Sequence, residues 1–408
     1  MQIARHADDH VGDGAADWFS AGELDVFQPP ATGRVRPRRT VHRTQRRRDP
    51  RWARALVAIG ALLMMLSGTT LVLAKLLIHR YESTVPQEDL LGEAGGANDK
   101  PGGKPLDGPL NILMVGLDER PNESVSQSRA DTIIILHVTA AHDRAYLVSV
   151  PRDLMVQARP FKRSGYGGGR AKMTETFFYG AQRGAGVSGG MQLLALTIKE
   201  TLGVSVNAAA IINFQSFTQV IDALGGVDMC FDQRVVSKHL MIGPDGRVKN
   251  VENQDNPVGT QIVYPKGQCR HLQAWEALDY SRQRYGLENG DYDRQRHQQQ
   301  LIRAIVKKAT STGVITNPVK LDRVMRAAGS AFIVDTRGVP LSDFVFALRN
   351  IGLGSLTMIR TNAGKVNSTS VDGVSFEQLS PTSAELFKAV REDRMDAFVA
   401  AHPDYVSR

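Results

Sequence analysis

Two gaps in this 408-residue chain remove whole classes of chemistry before any residue is singled out. No Gly-Lys-Ser/Thr ending follows a glycine-rich run, so the stretch GYGGGRAKM is no nucleotide-binding P-loop and reads as a mobile loop in which Lys172 can meet an anion. No His-Glu-x-x-His occurs, and His239 and His271 lack close metal-ligand spacing, which leaves them as structural or surface residues. Internal repeats are missing too, which excludes a solenoid. Aromatic residues make up only 6% of the chain against 42% hydrophobic residues, a balance that fits a globular core rather than a disordered polymer. Cysteine is scarcer still. Cys230 and Cys269 stand alone, in a region placed below outside the membrane; an oxidising compartment permits a disulfide between them, and two unrelated buried thiols are the alternative.

The formal net charge of +8 suggests nucleic acid until its distribution is read, because nine arginines fall between Arg36 and Arg54. Directly after them, Ala55 to Ala74 reads ALVAIGALLMMLSGTTLVLA, an uncharged run of about the 20 residues a helix needs to cross hydrocarbon. A secretory signal peptide would have a shorter apolar stretch and an earlier start, so one transmembrane helix within 51–78 is expected. Arginine-rich flanks stay in the cytoplasm, which puts the N-terminus inside and everything after Lys75 outside a cell membrane. Residues 1–50 then form a disordered, basic cytoplasmic tail facing anionic lipid. The tail carries no recognition helix, so no nucleic-acid partner is expected.

Glycine, proline and charge in GEAGGANDKPGGKPLDGP make 79–109 a flexible extracytoplasmic linker. The folded body is expected over 110–395, with 396–408 a C-terminal tail. Three nearly continuous apolar runs, Asn111 to Leu117, Thr132 to Val138 and Ala145 to Val150, predict strands buried on both faces. Helical patterns follow, among them Met191 to Leu202, Phe214 to Leu224, Leu272 to Asp279 and Asp293 to Ala309. The mixture predicts an α/β domain, a central mixed sheet flanked by helices. Between Asp232 and Gly267 the chain is polar and bears glycine and proline, the composition of long loops or a hairpin.

If the first three strands form an antiparallel meander, Asp118 leaves the first, Asp131 enters the second and Arg152 leaves the third, all at one sheet edge. Arg120 and Arg129 join them from the connecting loop. Two carboxylates amid arginines suit a hydrated divalent cation with an anionic substrate, because Mg²⁺ takes oxygen ligands and guanidinium groups grip phosphate oxygens. Taken singly, GLDER or SRADT reads as a salt-bridged loop; it is their convergence that suggests a site. Further on, Arg282 and Arg284 stand at a helix exit, where extended chain lets residues two apart share a face. On the next helix, counting back from the apolar stripe Leu301, Ile302, Ile305 and Val306 puts Gln298 and Arg294 on the inward side, unless the first turn protrudes and frays. Asp291 or Asp293 serves as an N-cap in this reading.

The ordered set NILMVGLDER, SRADTIIILHV, VSVPRDL, NFQSFTQVIDALGGV and ALDYSRQR followed by GDYDRQRHQQQ resembles the LytR-CpsA-Psr family of membrane-anchored envelope enzymes. The likeness covers the chain from about Leu110 to Arg391. It implies one extracytoplasmic domain with a tunnel for a polyprenyl chain. It also implies transfer of a glycopolymer of teichoic acid, capsule or arabinogalactan type from a polyprenyl-pyrophosphate carrier to a peptidoglycan acceptor, through a phosphodiester and with Mg²⁺, or Mn²⁺ in its place. By matching motifs, Asp118 and Asp131 would organise the metal, Arg129, Arg152, Arg282 and Arg284 would hold the pyrophosphate, and Arg120, Asp291, Arg294 and Gln298 would support them. Lys172-Met173-Thr174 departs from the family's Lys-x-Asn, and His297 stands where an arginine is usual. Two other readings compete: a pyrophosphatase that uses water as acceptor, and a non-catalytic envelope regulator acting through the basic tail.

Overall fold

The structure, a computed structural model, describes residues 85–95, 106–117, 125–251, 258–315 and 317–407. The expected tail and the apolar run Ala55 to Ala74 lie outside them, and among the described residues no helix is long and apolar enough to cross a membrane. The three apolar runs pair as the expected meander: β1 (Leu110–Leu117), β2 (Ala130–Val138) and β3 (Ala145–Ser149) are successively antiparallel. β4 (Met155–Ala158) and β5 (Gly169–Lys172) make a side hairpin, so the second half of the segment read as a mobile glycine loop is instead a paired strand. α1 (Met173–Gly180) and α2 (Gly186–Leu202) then lead to β6 (Ala208–Asn213), parallel to β1.

Beyond α3 (Phe214–Leu224) come the small strands β7 (Val227–Cys230), β8 (Val235–Ile242), β9 (Val248–Asn250), β10 (Thr260–Tyr264) and β11 (Cys269–Leu272). The polar stretch between Asp232 and Gly267 holds the three-stranded sheet β10-β8-β9. Next are α4 (Ala274–Arg282), α5 (Asp291–Ala309), α6 (Thr312–Ile315), α7 (Pro318–Ala331), β12 (Phe332–Asp335) and α8 (Leu341–Leu348). The chain closes with β13 (Leu356–Ile359), β14 (Ser368–Val371), β15 (Val374–Glu377), α9 (Pro381–Arg391) and α10 (Met395–Ala401). The main sheet has the order β12-β6-β1-β2-β3-β13.

Both faces of this sheet are covered, which explains why its sequence lacks polar alternation. Leu113, Val115 and Leu117 enter one core with α1, α2, α9 and α10, while Met114 packs the other way with Ile134 and Ile302 of α5. Close contact of α1 with α2 depends on glycine: a Cβ at Gly190 would lie 2.8 Å from the Phe177 ring. Cys230 and Cys269 are opposite residues on β7 and β11 and form a disulfide.

The body is larger than 110–395. Within the expected linker, Glu88 N donates to Val334 O and Val334 N to Pro86 O, both at 3.0 Å, so this segment extends the sheet at β12. Leu90 and Leu91 are fully buried, and Asp335 Oδ2 accepts from their backbone nitrogens at 2.9 and 3.0 Å. The expected C-terminal tail packs as well, with Phe398 and Tyr405 buried in the main core.

Candidate active site

The sheet edge is built around a β-bulge. Gly116 pairs with Thr132 but Leu117 pairs with Ala130, which leaves Asp131 as the extra residue, outside the ladder. Its carbonyl oxygen accepts from Arg294 Nη2 at 3.1 Å, and its carboxylate is ion-paired with Arg152. Arg152 follows β3, where Val150 N bonds Ile133 O at 2.9 Å and holds the turn against β2. Burial works against the Arg152 charge, but the carboxylates of Asp131, Asp153 and Asp291 outweigh it and hold the guanidinium more firmly protonated. Lys172 Nζ lies 3.1 Å from Asp153 Oδ1, and Arg294 pairs with Asp291. Asp131, Arg152, Lys172, Asp291 and Arg294 therefore form one network, bridged by Asp153, whose importance was not read from sequence although it directly follows Arg152.

Arg294 and Gln298 are both buried, so the first turns of α5 face inward and do not fray. Neither acid at the start of α5 is its N-cap. Gly290 takes that place, Asp291 binds Arg294 and Gln295, and Asp293 accepts from Asn289 N at 2.9 Å. Next to this network, a narrow pocket opens between the sheet and helices α4 and α5, lined by Met114, Thr132, Ile134, Ile212, Gln298 and Leu301. Its walls are apolar apart from a few polar atoms; Thr132 Oγ1 and Gln298 Oε1 are buried with no hydrogen-bond partner among the described residues. A second, polar groove shares Asp153, Lys172 and Asp291 with the network.

Arg282 ends α4 beside Ser281, which lines the apolar pocket, and the next residue, Gln283, is extended. Arg284 lies over the Tyr285 ring at 4.9 Å, and exposed Arg129 lies over Phe178 at 5.4 Å, so these two make local contacts rather than joining the Asp131 network. Asp118 and Arg120 fall outside the described residues, although Leu117, just before Asp118, is fixed beside Ala130. Among the described residues no cluster of three His, Cys, Asp or Glu gathers, so an all-protein metal cage is not built there. One spacing, Gly186-Val187-Ser188-Gly189-Gly190, matches a nucleophile elbow that sequence reading passed over. It opens α2 after α1 with no strand before it, and Ser188 Oγ donates to Glu88 Oε2 at 2.8 Å, so it lacks the strand-turn-helix setting of such an elbow.

An α/β scaffold with arginines and carboxylates at a bulged sheet edge, between an apolar pocket and a polar groove, defines a protein suited to an amphiphilic phosphate. The chain belongs to the LytR_cpsA_psr family, whose model matches residues 87–392. It is 26% identical over 347 residues to the cell wall biosynthesis protein LcpA of Corynebacterium glutamicum, covering 78% of this chain and 60% of that protein. It is 27% identical over 210 residues to the polyisoprenyl-teichoic acid–peptidoglycan teichoic acid transferase TagU of Bacillus cereus, covering 51% and 55%. The chain thus spans less than two thirds of the length of these curated relatives. In fold it is similar to the crystal structure of protein gbs0355 from Streptococcus agalactiae, with TM-score 0.54 and 20% identity over 71% of this chain and 88% of the other.

Proposed function

We propose that this chain is a membrane-anchored phosphotransferase that takes a glycopolymer from a polyprenyl-pyrophosphate carrier and joins it to peptidoglycan through a phosphodiester bond. The observation that carries this reading is the Asp131–Arg152–Arg294 network standing between the apolar pocket and the polar groove. The names of the LcpA and TagU relatives point the same way. The apolar pocket takes the start of the polyprenyl chain, which gains about 0.8 kcal/mol per buried methylene. Arg152 and Arg294, with Arg282 and Arg284 at the rim, bind pyrophosphate oxygens, and Lys172 faces the groove where the saccharide emerges.

A hydroxyl of the acceptor sugar attacks the phosphorus that bears the glycopolymer. The new P–O bond forms as the bond to the bridging oxygen breaks, polyprenyl phosphate leaves, and the hydroxyl proton passes to a carboxylate, with Asp118 and Asp131 the candidates. Phosphoryl transfer needs alignment and charge stabilisation more than a protein nucleophile, which fits an arginine-rich network. Mg²⁺ usually takes one or two carboxylates and completes its shell with water and substrate phosphate, so the hard oxygens of Asp131, with Asp118, fit it, as they fit Mn²⁺. When bound it would neutralise phosphate charge.

The Cys230–Cys269 disulfide supports placing the body in an oxidising space outside the cell membrane, with the N-terminus cytoplasmic. Incubating the full chain with a polyprenyl-pyrophosphate saccharide, Mg²⁺ and peptidoglycan tests the proposal. The expected result is covalent linkage that drops at least a hundredfold in Arg152→Ala, comparable to removal of one transition-state charge donor elsewhere. Hydrolysis that peptidoglycan neither slows nor diverts would replace the transferase with a pyrophosphatase.

A further inference from the structure

We propose that Asp279 is a positioning residue for the phosphate-binding pair Arg282 and Arg284, acting through Gln283. The inference deepens the transferase reading and rests on it. Asp279 is 3% exposed on α4, touches neither the Asp131 network nor the apolar pocket, and has no part in the chemistry above. A buried carboxylate is costly unless its oxygens are satisfied, and here both are. Oδ2 accepts from Tyr264 OH at 2.8 Å; Oδ1 accepts from Ser237 Oγ at 2.9 Å and from Gln283 Nε2 at 2.7 Å. The other end of the same amide is also fixed, since Gln283 Oε1 accepts from Lys238 N at 2.9 Å. Gln283 is fully buried as a result, tied at once to α4 and β8.

This tie decides how the chain leaves the helix. At φ −64° and ψ 132° Gln283 is extended, so its neighbours point away from it to the opposite side. One inward anchor therefore leaves Arg282 and Arg284 on the side of the chain away from it. Had the helix continued, residues two apart would have faced different directions. The Arg282 charge also favours the ionised form of Asp279, which links the anchor to the arginine pair directly. Burial pushes the Asp279 carboxyl up to about 6, so it is mostly ionised at neutral pH and mostly protonated at pH 5. The ionisable groups around the Asp279–Tyr264 pair are Tyr264 itself, Arg282 and Glu276 on α4, and Arg270 on β11. Ser237 is the contact from β8.

The test is binding of geranyl pyrophosphate to the purified full chain at pH 8, by calorimetry. Asp279→Asn and Gln283→Met, which nearly keeps volume and removes the amide, should each raise Kd about tenfold, the worth of one positioned charge contact. Tyr264→Phe removes another bond to the same carboxylate without touching Gln283, and should lower thermal stability while leaving Kd within about twofold. The ratio of the Asp279→Asn Kd to the wild-type Kd should shrink towards one at pH 5, where wild-type Asp279 is itself protonated; titration of the ligand cancels in the ratio. Wild-type binding with unchanged Kd in both Asp279→Asn and Gln283→Met overturns the positioning role alone. A wild-type chain that binds no pyrophosphate overturns the transferase reading and the positioning role with it.

Discussion

Replacing Asp335 with alanine should loosen the body from its N-terminal segment. One oxygen, Oδ2, accepts from Leu90 N and Leu91 N, and the other, Oδ1, accepts from Arg337 N at 2.9 Å. Arg337 in turn donates from Nη1 to Gly92 O at 3.1 Å, so the aspartate organises a clamp on both sides. Each hydrogen bond to a charged acceptor contributes about 1.5–3 kcal/mol, and two buried N–H groups would lose their partner. Release of the segment limits the cost, because freed amides regain water while Leu90 and Leu91 give up about 1.5–3 kcal/mol each. Both routes give a loss of about 3–6 kcal/mol, read by urea denaturation, or a fall in Tm of roughly 5–10 °C for a domain of about 300 residues. Asp335→Asn should cost about half as much. Its carbonyl can take both leucine amides, but its NH₂ then faces the Arg337 N–H. Hydrogen exchange gives the sharper measurement: in the wild type the Leu90 and Leu91 amides should be protected nearly as well as those of β6, and in Asp335→Ala they should exchange like exposed loop. A melt of Asp335→Ala within a degree of wild type, or wild-type Leu90 and Leu91 amides that exchange freely, would refute the reasoning.

Two further outcomes are expected. Cys230→Ser with Cys269→Ser opens a loop of sequence separation 39 and should cost about 4 kcal/mol by chain entropy, seen as a lower urea midpoint; an unchanged midpoint would show that the β7–β11 pair needs no cross-link. Asp279, with its carboxyl raised from the ordinary 3.8 to about 6, contributes stability that is present below pH 3.8 and lost as pH rises through 6. Asp279→Asn should therefore gain relative to wild type as pH rises across that window, by up to about 3 kcal/mol, in denaturation measured at pH 4 and pH 7. A stability difference independent of pH would sink that account.

The parts of the fold legible in sequence were those with long, strongly apolar signals. β1 to β3 declared themselves because both faces are buried, and α5 because its Leu301 stripe repeats at helical spacing. β6, spelled AAAIIN, was missed because it is short and half alanine, and its pairing with β1 on one side and β12 on the other makes it a strand. Val85 to Gly95 read as spacer because glycine and charge dominate the residues around it; its anchor, Asp335, lies some 245 positions away. Site residues showed the same division. The convergence of Asp131 and Arg152 followed from the meander, whereas the bulge that frees the Asp131 carbonyl depends on a register no local pattern encodes. Asp153 and Gln283 looked like ordinary neighbours of arginines until their partners Lys172 and Asp279 were seen.

The docking of Pro86–Glu88 along β12 has a mechanical consequence. Tension drawn through the N-terminal side of the chain meets those strand bonds, backed by two sequestered leucines, before it can reach the bulged sheet edge. A pull on this segment would load the main sheet through its outer strand and leave the polar groove unstrained.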